Sequence, residues 1–194
     1  VRGTAADWKG LTVLCPTGTS CHMLLIGLLN YLGLKQTDIN LIDSSVADSF
    51  AAFKAGTGDV VALWSPFGFQ AQDEGETWVK VANAKGLGIT MPCLIVATED
   101  AIQNKRDAVL AYLKAYLKAG EELNADPEKA ASLLYDFEEE QGITVSENVA
   151  KQEVKARPYT SIKDNIELFT KQADGSCKAN DILLTFAEFF EGQG

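Results

Sequence analysis

The chain has 194 residues, which is enough for one large domain or two small ones. Hydrophobic residues make up 46% and charged residues 23%, as in an ordinary globular protein with a substantial core. The 27 acidic and 17 basic residues give a formal net charge of −10, which argues against nucleic acid or an anionic membrane surface as the main partner. A small anion remains a compatible ligand, because a local group of backbone amides outweighs distant, screened charge.

Short apolar strands alternate with helices over the first hundred residues. The predicted strands are residues 11–15, 38–43, 60–64, 78–82 and 91–98. The predicted helices are residues 21–32, one that starts at Ser44-Ser45 and ends before Gly56, and a short one that starts at Ser65-Pro66. This alternation is typical of a doubly wound α/β sheet. In such a sheet the ligand lies beyond the carboxyl ends of the strands, here residues 16–20, 44–45, 64–67 and 84–90.

The first strand–turn–helix unit has the features of an anion-binding site. It reads LTVLCPTGTSCHMLLIGLL over residues 11–29. The first turn of a helix offers backbone N–H groups without an internal partner, at the positive end of the helix dipole. Gly18 lets the backbone approach a ligand, and Thr17, Thr19 and Ser20 add hydroxyl groups. The same residues equally suit a second role, in which Ser20 simply caps the helix.

Four further residues are candidates for the same edge of the sheet. Trp64 and Phe67 follow the third strand and suit an apolar wall, although core packing also accounts for one of them. His22 lies two residues into the first helix, where it suits either donation to an anion or a structural hydrogen bond. Ser44 follows the second strand and adds a hydroxyl group.

The cysteines give no sign of chemistry. Cys15, Cys21, Cys93 and Cys177 form no CxxC motif and no zinc-type spacing with the only histidine, His22. We therefore predict no metal, no cofactor and no catalytic residue. Buried thiols are expected for at least two of the four cysteines, while one or two disulfides remain compatible with an oxidising compartment.

The second half of the chain is predicted to be helical. The expected helices are residues 101–123, one that starts at Pro127 after an Asp126 cap, and then residues 146–157, 161–171 and 180–191. The run Glu138-Glu139-Glu140 is expected to form a solvated helix face.

Three stretches together resemble the substrate-binding proteins of ABC importers, in the nitrate/taurine/sulfonate-type group that includes thiamine-precursor binders. They are DWKGLTVLCPTGTSCHMLL at 7–25, ADSFAAFKAGTGDVVALWSPF at 47–67 and AYLKAYLKAGEELNADPEKAASLL at 111–134. The resemblance implies a type II periplasmic-binding-protein fold, with two α/β lobes and a small anionic or zwitterionic organic ligand in the cleft between them. Residues 8–97 would form one complete lobe, and residues 98–194 would return as a partial, mostly helical segment of the other.

The resemblance also implies a function, a compartment and a set of partners. The expected function is solute capture without catalysis, outside the cytoplasm, either in the periplasm or as an extracellular lipoprotein, for delivery to the membrane subunits of the importer. A ligand-sensing or interaction domain, or an enzyme that uses Cys15 or Cys21, is the alternative on the same scaffold. Residues 1–4 show no leader pattern, and no window of about 18 apolar residues is present.

The family's N-terminal segment, which supplies most of the first lobe's sheet, has no counterpart in this sequence. The chain is therefore expected to be either a fragment or a truncated form. The apolar faces of the helices at 101–134 should then be exposed, or covered by a second copy of the chain.

Overall fold

A computed structural model describes residues 3–73 and 78–192 of the protein. By its internal contacts the chain divides into two compact units, of which the first comprises residues 1–91 and 186–194 and the second residues 92–185. The sequence prediction instead placed the boundary at residue 97 and kept the last helix wholly in the second segment. The assignment of residues 8–97 as a complete ligand-binding lobe remains a prediction.

The first unit is organised around a parallel sheet of three short strands. The strands are β1 (Thr12–Leu14), β2 (Asn40–Ile42) and β3 (Val60–Val61), in the spatial order β2-β1-β3. The central residue of β1, Val13, pairs with Leu41 of β2 and Val60 of β3. Because β1 has a neighbour on each side, its residues Val13 and Leu14 are almost completely buried.

Two helices that the sequence predicts connect these strands, α2 (Ser20–Tyr31) and α3 (Val46–Lys54). A short helix, α1 (Ala5–Trp8), precedes β1, and α4 (Phe67–Asp73) follows β3. The chain passes from β1 through α2 to β2, and then through α3 to β3 on the far side of β1. Since such crossovers are right-handed, the two connections place α2 and α3 on opposite faces of the sheet. This is the doubly wound arrangement, and it agrees with the predicted fold class.

The apolar helix α2 forms much of the core of the first unit. The buried cluster combines its residues with those of β1 and the flanking loops: Trp8, Val13, Cys15, Cys21, Leu25, Leu28, Leu29, Leu34 and Ile39. Gly33, which follows the C-terminus of this helix, has the positive φ of +72° that favours glycine. The helix thus begins at the carboxyl edge of the sheet and is fixed along its length by the core.

The predicted strands at 78–82 and 91–98 are wrong. Both segments lie in the described part of the chain, and neither is paired there as a strand. Val81 and Ala82 pack against the core cluster of the first unit, whereas Val96 is 84% exposed. The apolar sequence of each segment satisfies the burial pattern of a strand, but strand formation also needs a neighbouring backbone with which to share hydrogen bonds.

The second unit is built from helices. They are α5 (Glu99–Asn104), α6 (Arg106–Ala125), α7 (Pro127–Glu140), α8 (Glu147–Ala156) and α9 (Ile162–Phe169), and α10 (Lys178–Glu191) begins there and ends in the first unit. The helix predicted at 101–123 is thus two helices, which meet at Lys105 with φ −132° and ψ 31°. Asp126 caps α7 as predicted, because its side chain accepts a hydrogen bond from the Lys129 N–H.

In the second unit, the exposure of one charged residue differs from the prediction, whereas the exposure of the apolar side chains agrees with it. Glu138 is only 4% exposed, so the Glu138–Glu140 run is not a wholly solvated face. The apolar side chains of α6 and α7 are exposed as predicted; the largest are Leu110, Tyr112, Leu113, Tyr116, Leu133 and Phe137. Among residues 3–73 and 78–192, no helix is long and apolar enough to cross a membrane.

Candidate functional site

The loops after β1 and β2 are joined at the carboxyl edge of the sheet by one aspartate. Asp43 directly follows β2, and its two carboxylate oxygens accept hydrogen bonds from Thr17, one from the backbone N–H at 2.8 Å and one from the hydroxyl at 2.7 Å. These bonds lower the pKa of the Asp43 carboxyl, because they stabilise its charged form. Thr17, a predicted ligand residue, therefore already binds an anionic group of the protein itself.

His22 holds the turn between β1 and α2 closed. Its Nδ1 accepts a hydrogen bond from the Gly18 N–H at 3.2 Å, where Gly18 has a φ of +67°. A nitrogen that accepts carries no proton, so the proton lies on Nε2, which donates to Gln36 Oε1 at 2.8 Å. The side chain is 4% exposed and both ring nitrogens are bonded. This geometry favours the structural role for His22 over direct donation to a ligand.

The N-terminus of α2 retains free donors. Thr19 is the N-cap residue, but its side chain does not bond the helix; the hydroxyl donates to the Pro16 carbonyl at 2.6 Å. The first helical hydrogen bond runs from the Met23 N–H to the Thr19 carbonyl. Across the described part of the chain, no acceptor meets the N–H groups of Ser20, Cys21 or His22. These three amides can therefore bind an external anion.

The order of the strands identifies where a ligand fits. The first crossover leads from β1 to β2 on one side, and the second leads from β2 to β3 on the other side of β1. The order of the strands therefore switches between β1 and β3. Ligands of doubly wound sheets bind in the crevice at this switch point. The loop after β1 carries the free amides. The loop after β3 carries Trp64, whose side chain is 39% exposed. The structure thus brings two of the predicted features to one edge.

Phe67 and Ser44 are engaged in packing and hydrogen bonding within the first unit. The Phe67 ring lies 5.6 Å from that of Phe50, centroid to centroid, which corresponds to the core alternative considered for this residue. The Ser44 hydroxyl pairs at 2.6 Å with that of Ser49, which is completely buried. Both residues lie beside the edge, and a role for either in ligand contact remains a prediction.

Cysteine chemistry has no support at this edge. All four cysteines are free thiols, and Cys15 and Cys21 are buried. Burial raises the pKa of each of these two thiols to about 12, which disfavours the thiolate that a nucleophile requires. Within residues 3–73 and 78–192, no group of three or more His, Cys, Asp or Glu residues could hold a metal ion.

A separate cavity of about 250 Å³ lies in the first unit. It is lined by Lys80, Val81, Ala82, Asn83 and Gly86. None of the eight predicted ligand residues is among them. Three of its lining residues belong to the segment 78–82 that was predicted as a fourth strand, and its lysine donates to Gln72 at 3.3 Å.

Asp43 is the functional candidate that the sequence analysis missed. Its contact with Thr17 spans 26 residues and depends on the pairing of β1 with β2. The available signal was its position, because it is the first residue after a predicted parallel strand, on the edge where ligands bind.

The fold is that of periplasmic binding proteins. The periplasmic aliphatic sulphonate binding protein SsuA from Escherichia coli superposes with a TM-score of 0.67 and 27% identity, over 81% of this chain and 49% of that chain. The alkanesulfonate-binding protein SsuA from Xanthomonas axonopodis pv. citri, solved with bound MOPS, gives a TM-score of 0.64 and 25% identity, over 81% of this chain and 52% of that one. The predicted fold class is confirmed.

The chain belongs to the NMT1/THI5-like family, whose model matches residues 3–130. An ABC transporter periplasmic binding protein of Brachyspira hyodysenteriae is 30% identical over 193 residues, which are 100% of this chain and 53% of that protein. An aliphatic sulfonates-binding protein of Escherichia coli K12 is 44% identical over 64 residues, or 33% of this chain and 20% of that protein. The chain spans about half the length of the first of these relatives.

Proposed function

We propose that the chain carries the ligand-binding edge of a solute-binding protein that serves an ABC importer. The proposed ligand is a small organic compound with a sulfonate or a similar anionic group. The observation that carries this proposal is the set of unpartnered amides at Ser20, Cys21 and His22, located at the switch point of the sheet. Two relatives and both solved neighbours bear names of binding proteins, and three of these four names specify sulfonates.

The proposed contacts divide between the two ends of the ligand. The anionic group accepts hydrogen bonds from the three amides, which also lie at the positive end of the α2 dipole. The organic part packs against the exposed indole of Trp64. Thr17, Gly18 and the His22 ring hold the loop in place, so they contribute through its geometry.

This function involves capture and release rather than catalysis. The raised pKa values of Cys15 and Cys21 remove support for the cysteine-enzyme alternative. An extracytoplasmic location and the membrane subunits of an importer as partners belong to the same proposal, supported by the periplasmic and transporter names of the relatives.

A proline substitution tests the amide contact while preserving the helix. Ser20 is the first helical residue of α2, where proline is well tolerated, and Thr19 already has the extended conformation that a following proline requires (φ −124°, ψ 176°). Ser20→Pro removes one of the three donors. We expect it to weaken the binding of ethanesulfonate by about ten- to a hundredfold, the value of one charge-assisted hydrogen bond.

The titration should be followed by amide chemical shifts in NMR, with Glu147→Pro as the control. Glu147 is the first residue of α8 and also follows an extended N-cap, Ser146. It should leave ethanesulfonate binding unchanged. If ethanesulfonate does not shift the amides of residues 19–22, or if the two proline variants behave alike, the proposal fails.

A further inference from the structure

We propose that Asp43 sets the charge class of the ligand, favouring zwitterions with a cationic group beside the anionic one over simple anions. This inference rests on the proposed function and concerns the same edge of the sheet. It assigns to Asp43 a role in specificity, whereas the free amides of α2 supply the anion contact.

The Asp43 carboxylate is fixed in position and still available to a ligand. Each of its oxygens receives one hydrogen bond from Thr17, at 2.8 and 2.7 Å. A carboxylate oxygen has two lone pairs, so each can accept another donor, such as the N–H of an ammonium group. The residue is exposed at the carboxyl edge of the sheet, in the loop that follows β2.

The charge of Asp43 is not neutralised within the protein. No lysine or arginine in residues 3–73 or 78–192 forms an ion pair with it. His22 contributes less to the lowered pKa of Asp43 than the hydrogen bonds from Thr17 do, and its Nδ1 accepts the Gly18 N–H. The bonds from Thr17 keep the pKa of Asp43 below its usual range, so the group is ionised at neutral pH.

Asp43 and the free amides are close enough to act on one ligand. Thr17, which holds the carboxylate, precedes Ser20 by three residues, and a chain of that length spans at most about 11 Å. This is comparable to the screening distance of about 8–10 Å at physiological ionic strength. A simple anion on the amides is therefore repelled by Asp43, whereas a ligand with an additional ammonium group gains a compensating attraction. Specificity is the difference between these two affinities.

The test compares two ligands that differ by one charged group, ethanesulfonate and 2-aminoethanesulfonate, in NMR titrations of the full chain. In the unaltered protein the aminosulfonate should bind more tightly. Asp43→Asn keeps an acceptor for Thr17 but removes the charge. The substitution should lower the affinity for the aminosulfonate and raise the affinity for ethanesulfonate, each by about two- to tenfold. Opposite signs for the two ligands are the distinguishing result.

Asp59→Asn is the matched control, because Asp59 is also exposed and also accepts a backbone N–H, that of Thr12 at 2.8 Å. It lies at the amino end of β1, away from the free amides, and should alter neither affinity. As a second measurement on the unaltered protein, 1 M salt should reduce the preference for the aminosulfonate, because the screening length falls to about 3 Å.

The two proposals fail in different ways. If both ligands shift residues 19–22 but Asp43→Asn changes their affinities in the same direction or not at all, the role of Asp43 is refuted and the proposed function stands. If the unaltered protein prefers ethanesulfonate, the role of Asp43 is likewise refuted. If neither ligand binds, both proposals are refuted.

Discussion

Single residues decide how the loop at the start of α2 is built. His22 joins Gly18 to Gln36, and Asp43 joins β2 to the same loop through Thr17. With these side chains fixing its conformation, the loop holds its remaining amides in one orientation before a ligand arrives. Affinity gained in this way comes from preorganisation rather than from additional contacts.

The pairing of His22 with Gln36 can be measured by a double-mutant cycle. We expect His22→Leu to lower the free energy of unfolding by about 1–3 kcal/mol, because two hydrogen bonds, to Gly18 and to Gln36, are lost at about 0.5–1.5 kcal/mol each. Gln36→Leu should cost about 0.5–1.5 kcal/mol. Urea unfolding of both single variants and the double variant should give a coupling of about 0.5–1.5 kcal/mol. Strictly additive effects would contradict the hydrogen bond.

Helices α7 and α8 enclose a cluster of charged side chains between them. On facing helices α7 and α8, Glu138 and Glu153 are both buried, and Arg157 forms an ion pair with Glu153. Burial raises the pKa of Glu138, the charge of Glu153 raises it further, and Arg157 offsets only part of this effect. One ionised carboxylate in this cluster is thus paired, while Oε2 of Glu138 has no hydrogen-bond partner.

Glu138→Gln should stabilise the protein at neutral pH. Because the pKa is raised in the folded state, Glu138 contributes full stability below its unfolded pKa of about 4.3, and this contribution is lost as the pH rises through the folded pKa. A glutamine side chain does not ionise, so the variant does not lose this stability as the pH rises. Melting temperatures measured from pH 4 to 8 should therefore fall less with rising pH in the variant. A parallel displacement of the two curves would contradict this account.

Two helical glycines provide a matched pair for close packing. A Cβ added at Gly120 in α6 would lie 3.1 Å from the Tyr159 Cβ, while one added at Gly68 in α4 would meet nothing within 4 Å. Tyr159 cannot easily move, because its backbone N–H and carbonyl are both bonded to the Asn124 side chain. Gly68→Ala should gain up to about 1 kcal/mol of stability from helix propensity. Gly120→Ala should gain less or lose stability, as judged by urea unfolding.

The sequence was informative about elements and less so about their pairing. The strand–turn–helix at 11–32, the caps at Ser45 and Asp126 and the βαβ order were predictable because each depends on residues close together in the chain. The strands at 78–82 and 91–98 were not, because an apolar run records a tendency toward burial but not the presence of a partner strand. Glu138 looked solvated for the same reason, since its burial depends on α8.

At the scale of the whole molecule, two opposing features control association. The net charge of −10 makes copies of the chain repel one another. The exposed apolar residues of α6 and α7 favour contact between copies. Salt screens the charge repulsion but does not weaken the apolar contact. The self-association through these helices that the sequence predicts should therefore become stronger as the salt concentration rises.

We predict that the weight-average mass measured by light scattering rises with protein concentration and more steeply at 0.5 M than at about 0.05 M salt. Tyr112→Glu should suppress this rise, because Tyr112 lies on the apolar surface of α6 and is 61% exposed. Tyr31→Glu is the control, since Tyr31 is 68% exposed but belongs to α2. Equal suppression by both variants would assign the association to charge alone.

The distribution of the four thiols makes the chain convenient for spectroscopy. Cys93 is exposed, whereas Cys15, Cys21 and Cys177 are buried. A maleimide dye added to the native protein should therefore attach at one position per chain, and at four after denaturation, with no cysteine having to be removed first. Mass spectrometry of the labelled protein reports that stoichiometry, and the single attached dye then offers an optical reporter in the segment that follows the first unit.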